Sequence, residues 1–245
     1  MEAKDIIYFD EPGPSNTDKI LELAKKRIED LGIHHVIIAS QAGVTVKRFL
    51  EITKNSNLDL EISAITNVKG GKLLVSVLYN KYKESKRIKE DYLKKGITHF
   101  QASISDETRR EFEKEGVKVF YIPDILNIGE PWGLDEEKKL GESEKEWRLR
   151  RSLLSPFIPG HLRPLDVAAG ADLSLLNIIS MGFRVCVGVT AVSVKNGLVP
   201  EGETVLSIAG TGFAGGGADT AIIVQARANP KACLIKEILG FPKLK

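Results

Sequence analysis

Short apolar runs alternating with amphipathic stretches constrain this chain more than any other feature. His35–Ser40 reads HVIIAS, a continuous apolar run too short for a helix of its own. Such a run is what a strand buried on both faces of a parallel sheet looks like. Leu60–Thr66 reads as another buried strand. Between and before them the period changes. Ser15 or Asn16 is placed to cap a helix running to about Leu31, with Ile20, Leu23, Ala24, Ile28 and Leu31 on one face and Gly32 as its stop. Gln41-Ala42-Gly43 reads as a tight turn into a second helix, Val44–Thr53. Asp5–Asp10, Ile97–Ala102 and Val117–Ile122 read as further strands, and Tyr82–Lys95 and Ser105–Glu115 as further helices. Strands and helices alternating at this length predict an α/β fold of three layers around a mainly parallel sheet.

The second half of the chain departs from this rhythm. Pro123–Asp166 carries five prolines, both tryptophans and the charged segment Asp135–Arg151, and reads as an inserted loop and helix within a single domain spanning 1–245. A lid, an oligomer contact that would make the protein a homo-oligomer, and a solvated connector are all compatible with it. Ala168–Met181 suggests a helix. Phe183–Lys195 points both ways: its valines favour a strand, whereas Asn196-Gly197 is a helix stop.

Gly210–Gly217 reads GTGFAGGG and matches the dinucleotide pattern G-x-G-x-x-G at Gly210, Gly212 and Gly215. A dinucleotide fingerprint must open a helix, whose N-terminus holds the pyrophosphate. Here the flanks are Thr204–Ala209 and Ala221–Val224, both strand-like, so the segment is a loop between two strands. Absent side chains let its backbone approach a flat ring or a phosphate, although a flexible hairpin is the plainer reading. Asp219 and Thr220 follow it, and Asp219 either contacts a ligand or caps the loop.

A formal charge of +2 gives no field for nucleic acid. No apolar run reaches the length of a membrane span, and the acidic start is unlike a secretion signal. Cys186 and Cys233 stand apart, which suits a reducing cytoplasm, and neither they nor the four histidines have metal-ligand spacing. Abundant Lys, Glu and Ile with few Met and Cys lean toward a thermophile. The basic run Lys81–Lys89 is interrupted by Glu84 and reads as a solvated helix face.

Ligands of open α/β sheets bind at the carboxyl ends of the strands. Three such junctions carry suitable groups: Asp10–Thr17, with Glu11, Asn16 and Thr17; Ser40–Thr45, with Ser40, Gln41, Gly43, Val44 and Thr45; and Thr66-Asn67. The second puts hydroxyls and free N–H groups at a helix start, which suits a phosphate. It lacks the G-x-x-x-x-G-K-[ST] of a nucleoside triphosphatase. Each junction alone is equally well a helix cap.

HHVIIASQAGVTVKRF followed by LEISAIT resembles the C-terminal α/β domain of pyruvate kinase, as does KNGLVPEGETVLSIAGTGFAGGGADTAIIV. YFDEPGPSNT, MGFRVCVGV and GADTA resemble more closely a family of stand-alone archaeal and bacterial proteins built on that domain. The likeness covers about the first 70 and last 65 residues. It implies that Ser40, Gly43, Val44 and Thr45 hold a phosphate, and that Gly210, Thr211, Gly212 and Phe213 begin a loop that closes over the ligand. It also implies that Phe183–Lys195 is a helix, and that the ligand is flavin mononucleotide (FMN), with its phosphate and flat ring. Pyruvate kinase activity is not expected, because its (β/α)₈ barrel takes about 250 residues by itself. Three functions stay open: a binding protein for a phosphorylated small molecule, a flavin-dependent oxidoreductase or phosphosugar-processing enzyme, and a regulatory protein related to an effector domain. No residue identifies itself as a general acid or base.

Overall fold

The computed structural model describes residues 5–123, 164–171 and 173–243. The expected insertion at 123–166 lies almost wholly outside these residues. Seven strands form the main sheet in the order β1-β9-β8-β7-β2-β3-β6. They are β1 (Ile7–Phe9), β2 (His35–Ala39), β3 (Glu61–Thr66), β6 (Lys118–Tyr121), β7 (Thr204–Ala209), β8 (Thr220–Gln225) and β9 (Leu234–Pro242). Pairing is parallel at β1–β9, β2–β3, β2–β7 and β3–β6, and antiparallel only where β8 meets β7 and β9. The α/β architecture and the mainly parallel sheet are therefore as the sequence predicts. Six strands run the same way, so the loops after β1, β2, β3 and β7 all emerge at one edge.

One face of the sheet is covered by α1 (Thr17–Leu31), α2 (Val44–Thr53) and α4 (Asp106–Lys114). Ile20, Leu21, Ala24, Ile28, Val46, Phe49 and Phe112 pack there on Val36, Ile38, Ala64, Leu206 and Ile208. Each of the Val, Leu, Ile and Phe side chains among them, fully buried, contributes about 1.5–3 kcal/mol. Of the face read in the sequence, α1 buries Ile20, Ala24 and Ile28, leaves Leu23 partly buried and Leu31 exposed, and buries Leu21 as well; Gly32 ends the helix in the left-handed conformation at φ 62°. Asn16 precedes α1 but makes no capping hydrogen bond. A 3₁₀ turn at Pro14–Asn16 leads into the helix instead.

The other face is covered by α6 (Met181–Lys195), which settles the ambiguity of that stretch as helix. Its valines lie between the sheet and the preceding segment, among Ile37, Ile65, Ala209, Ile222 and Val224. Packing on all sides overrides their strand preference. Gly182 makes the close approach to the sheet possible, since a Cβ there would lie 2.2 Å from Thr220 Oγ1.

Two expectations need correction, and one strand was not foreseen. Ala168–Met181 is not one helix: α5 (Pro164–Ala169) stops at Gly170, which takes φ 70°, and a 3₁₀ turn spans Ser174–Ile178. Ser180, expected inside that helix, instead caps α6 by accepting from Phe183 N at 2.9 Å. The strand expected at Ile97–Ala102 is β5 (His99–Gln101), and it is not in the main sheet. It pairs antiparallel with β4 (Lys72–Leu74). Together with α3 (Lys83–Lys94), these two strands form a small cap between β3 and α4. Finally, β9 gives little sequence signal, because it carries Lys236, Glu237 and Gly240 and its pairing with β8 is irregular.

Candidate ligand site

The four loops at the carboxyl edge surround a cavity of about 600 Å³, within the range of about 300–1,000 Å³ typical of small-molecule sites. The cavity straddles the ends of β2 and β3. On one side lie Pro14, Thr17 and the start of α2; on the other lie Met181, Arg184, Val185 and Val189 of α6. The cap supplies Leu73, Val77, Leu78, Tyr92 and Phe100. The glycine loop supplies Gly210, Gly212, Phe213 and Gly215–Gly217.

The loop after β2 is built to leave donors free. Ser40 N donates to Ile65 O at 3.0 Å, which fixes the loop to β3, and Ser40 Oγ accepts from Gly43 N at 3.1 Å. Thr66 Oγ1 donates to Gln41 O at 2.9 Å and accepts from Ile104 N at 3.1 Å. Gly43 takes φ 88°, which turns the chain into α2. The first hydrogen bond across that junction is Lys47 N to Gly43 O. The N–H groups of Val44, Thr45 and Val46 therefore have no acceptor among the described residues, and the Thr45 hydroxyl makes no hydrogen bond there either. Thr45 is nonetheless buried. Free N–H groups and the helix dipole both favour an anion at this point.

One turn on, Arg48 Nε and Nη2 hold the two Asp18 oxygens at 2.7 and 3.1 Å, and Nη1 holds Glu51 at 3.0 Å. The Arg48 hydrogen bond lowers the Asp18 carboxyl below its ordinary range. Across the cavity, buried Arg184 pairs with buried Asp166. Among the described lining residues the ionisable groups are Asp18, Arg48, Tyr92 and Arg184, and none is a carboxylic acid or histidine poised near neutrality. No cluster of described His, Cys, Asp or Glu side chains could hold a metal ion.

Of the residues predicted from sequence, Thr17, Ser40, Gln41, Val44, Thr45, Thr66, Asn67, Gly210, Gly212 and Phe213 line this one cavity. Thr17 does so with its hydroxyl occupied: Oγ1 accepts from Ala218 N at 3.0 Å and donates to Ala218 O at 3.4 Å. Asn67 is tied by Nδ2 to Ala102 O at 2.8 Å. The other six do not line the cavity. Glu11 accepts from Lys83 N at 3.1 Å, joining the first loop to α3, and Asn16 donates to Glu11 O at 2.8 Å. Gly43 packs on Phe112. Thr211 N donates to Asp219 Oδ2 at 3.0 Å, and Thr220 Oγ1 donates to Asp219 Oδ1 at 2.9 Å. Asp219 is fully buried, and that burial raises its carboxyl above the ordinary range despite these hydrogen bonds. Asp219 thus pins the glycine loop from beneath.

The glycines divide in the same way. A Cβ on Gly210 would lie 2.1 Å from Gly217 O, and one on Gly217 would lie 2.6 Å from Pro14 Cα, so these two serve backbone packing. Gly212 faces the Gln41 side chain, and Gly216 has open space around it. Phe213 docks the loop on the cap: its carbonyl accepts from Tyr79 N at 2.9 Å, and the two rings meet edge to face. Sequence reasoning missed Arg184 and the aromatic pair Tyr92 and Phe100, which are parallel to within 2°. Arg184 had a signal, being the single charge in the largely apolar stretch from Met181 to Val194.

No helix among the described residues is long and apolar enough to cross a membrane. No model of a known protein family matches the chain.

Proposed function

We propose that the protein binds a phosphorylated small molecule carrying a flat ring, with FMN as the ligand, at the carboxyl edge of its sheet. The observation that carries this reading is the start of α2. Three N–H groups and the Thr45 hydroxyl lack acceptors there, at the polar end of a cavity otherwise walled largely by apolar side chains. A phosphate satisfies donors in that arrangement without needing a free cation. Ser40 Oγ already accepts from Gly43 N, so its own proton is available to the same oxygens. The wall from Leu73, Val77, Leu78, Phe100, Val185 and Val189 suits an apolar ring face, and the volume suits a ligand of this size.

The resemblance of both ends of the chain to the stand-alone pyruvate kinase α/β family points the same way, and this reading assigns the fold to that family. FMN, when bound, would supply redox chemistry. The residues of this chain would hold its phosphate, exclude water from its ring and close over it through the glycine loop. The reading includes no transfer of a phosphoryl group.

Fluorescence titration of the full chain with FMN, riboflavin and inorganic phosphate tests it. FMN should bind more tightly than riboflavin. Thr45→Val, which removes one hydroxyl without changing shape, should weaken FMN by about 10-fold or more while leaving riboflavin unchanged. A protein that ignores added FMN would remove this ligand, and equal losses for FMN and riboflavin would move the phosphate away from α2.

A further inference from the structure

We propose that Arg184 is a second polar anchor of the cavity, donating to an acceptor oxygen at the end of the ligand opposite its phosphate. The proposal rests on reading the cavity as a site for a phosphorylated ligand. Arg184 is 2% exposed, yet it lines the cavity. Only its Nη2 is engaged, by Asp166, which leaves Nε and Nη1 without an acceptor among the described residues. A guanidinium has five N–H donors in a fixed fork, and one acceptor cannot meet them all. The pairing with Asp166 meets part of that demand and fixes the orientation of the fork.

Position supplies the second argument. Arg184 sits in the first turn of α6, on the face of the sheet opposite α2, whereas Thr45 sits in the first turn of α2. The two lie on opposite sides of the β2 and β3 ends, with the apolar wall between them. Arg48, the other cation of the lining, has donors committed to both Asp18 and Glu51. Arg184 is therefore the cation with donors to spare. A ligand that satisfies both ends has a phosphomonoester at one and a hydrogen-bond-accepting oxygen at the other. A carbonyl on a flat ring, such as the dione ring of a flavin, has that chemistry; a plain hydrocarbon tail does not.

The test keeps the buried charge balanced. Arg184 and Asp166 are a buried charged pair, so the variant is Arg184→Gln with Asp166→Asn, which removes both charges together and retains an amide-to-amide hydrogen bond. Riboflavin, FMN and inorganic phosphate are titrated against wild type and variant, with circular dichroism to confirm folding. Both flavins should weaken by the same factor, about 10- to 100-fold, while phosphate is unchanged. Flavin affinities that do not change in the folded variant would overturn the role of Arg184 and leave the α2 phosphate site intact. A wild-type protein that binds neither flavin would overturn both readings. Should the double variant not fold, Arg184→Lys keeps the charge against Asp166 but removes the fork. It should still weaken both flavins, and full retention of affinity would overturn the proposal.

Discussion

Gly216 and Gly217 are neighbours in one loop, both at positive φ (90° and 74°), yet the structure assigns them very different costs of substitution. An L-residue in the left-handed region costs about 1–2 kcal/mol, of which about 0.4–1 is returned by restricting the unfolded chain. For Gly216→Ala nothing more is added, because no atom lies within 4 Å of the new Cβ. The net loss is about 1 kcal/mol. For Gly217→Ala the Cβ would fall 2.5 Å from Thr17 Oγ1 and 2.6 Å from Pro14 Cα. Pro14 Cα is backbone, and it cannot swing aside as a side chain can. Forcing the loop outward strains packing by about 1–3 kcal/mol. It also pulls Ala218 N from Thr17 Oγ1, and a buried unpaired N–H costs about 1–3 kcal/mol more. Gly217→Ala should therefore lose about 3–7 kcal/mol, a large share of the 5–15 kcal/mol typical of a whole domain. Urea unfolding of both variants, followed by circular dichroism and tryptophan fluorescence, measures the difference. Equal midpoints for the two would refute the claim that the loop is packed backbone to backbone on Pro14 and Thr17.

Burial raises the Asp219 carboxyl above its ordinary value of 3.8, so between that value and its raised one the folded state binds more protons than the unfolded. Its contribution to stability must then fall as pH rises through that window and level off above it. Asp219→Asn should abolish this component, seen as urea midpoints of wild type and variant converging or diverging with pH; parallel curves would refute it. Arg27 of α1 is buried and holds both oxygens of Glu237 on β9 at 2.9 and 2.6 Å, so Arg27→Ala should cost about 1–3 kcal/mol, and Arg27→Lys should recover only part of it. A neutral effect of Arg27→Ala would show that β9 docks without this pair. Burial drives the Cys186 thiol far above its ordinary range and Cys233, half-buried, less so. In pulsed alkylation of the native protein Cys233 should react first and Cys186 only on unfolding, and comparable rates would contradict the packing of α6 on the sheet.

The elements read correctly from sequence are those whose local and tertiary signals agree. In α2 the turn at Gly43, the helical period and the buried face coincide, and the expected bounds Val44–Thr53 are the observed ones. The failures occur where tertiary contacts decide. Ile97–Ala102 has the length of a sheet strand, but only His99–Gln101 forms β5 and its partner is β4, and periodicity carries no information about which sheet a strand joins. β9 is held between β8 and β1 by ladder hydrogen bonds, and these demand nothing of its side chains. Ser180 illustrates the boundary problem: a serine between two helical stretches is an interior residue or a cap depending on whether the chain turns at Gly170, and it turns.

The site was legible as a place rather than as a list of contacts. Three strand-to-helix junctions were predicted to meet the glycine loop at one sheet edge, and ten of the sixteen named residues line the cavity there. The other six, Glu11, Asn16, Gly43, Thr211, Asp219 and Thr220, make contacts within the chain. A glycine is required wherever a backbone comes close to something, and the sequence does not say whether that something is a ligand or the chain itself. Gly210 and Gly217 meet backbone, Gly212 meets the Gln41 side chain, and Gly216 meets nothing within 4 Å. The same holds for Thr17 and Asp219, whose oxygens serve the N–H groups of Ala218 and Thr211 and thereby set the shape of the loop. The groups left to read a ligand are those whose hydrogen-bonding capacity the fold does not consume. On that criterion the proposed ligand contacts fall to the start of α2, with Thr45, and to Arg184, with the glycine loop as their proposed cover.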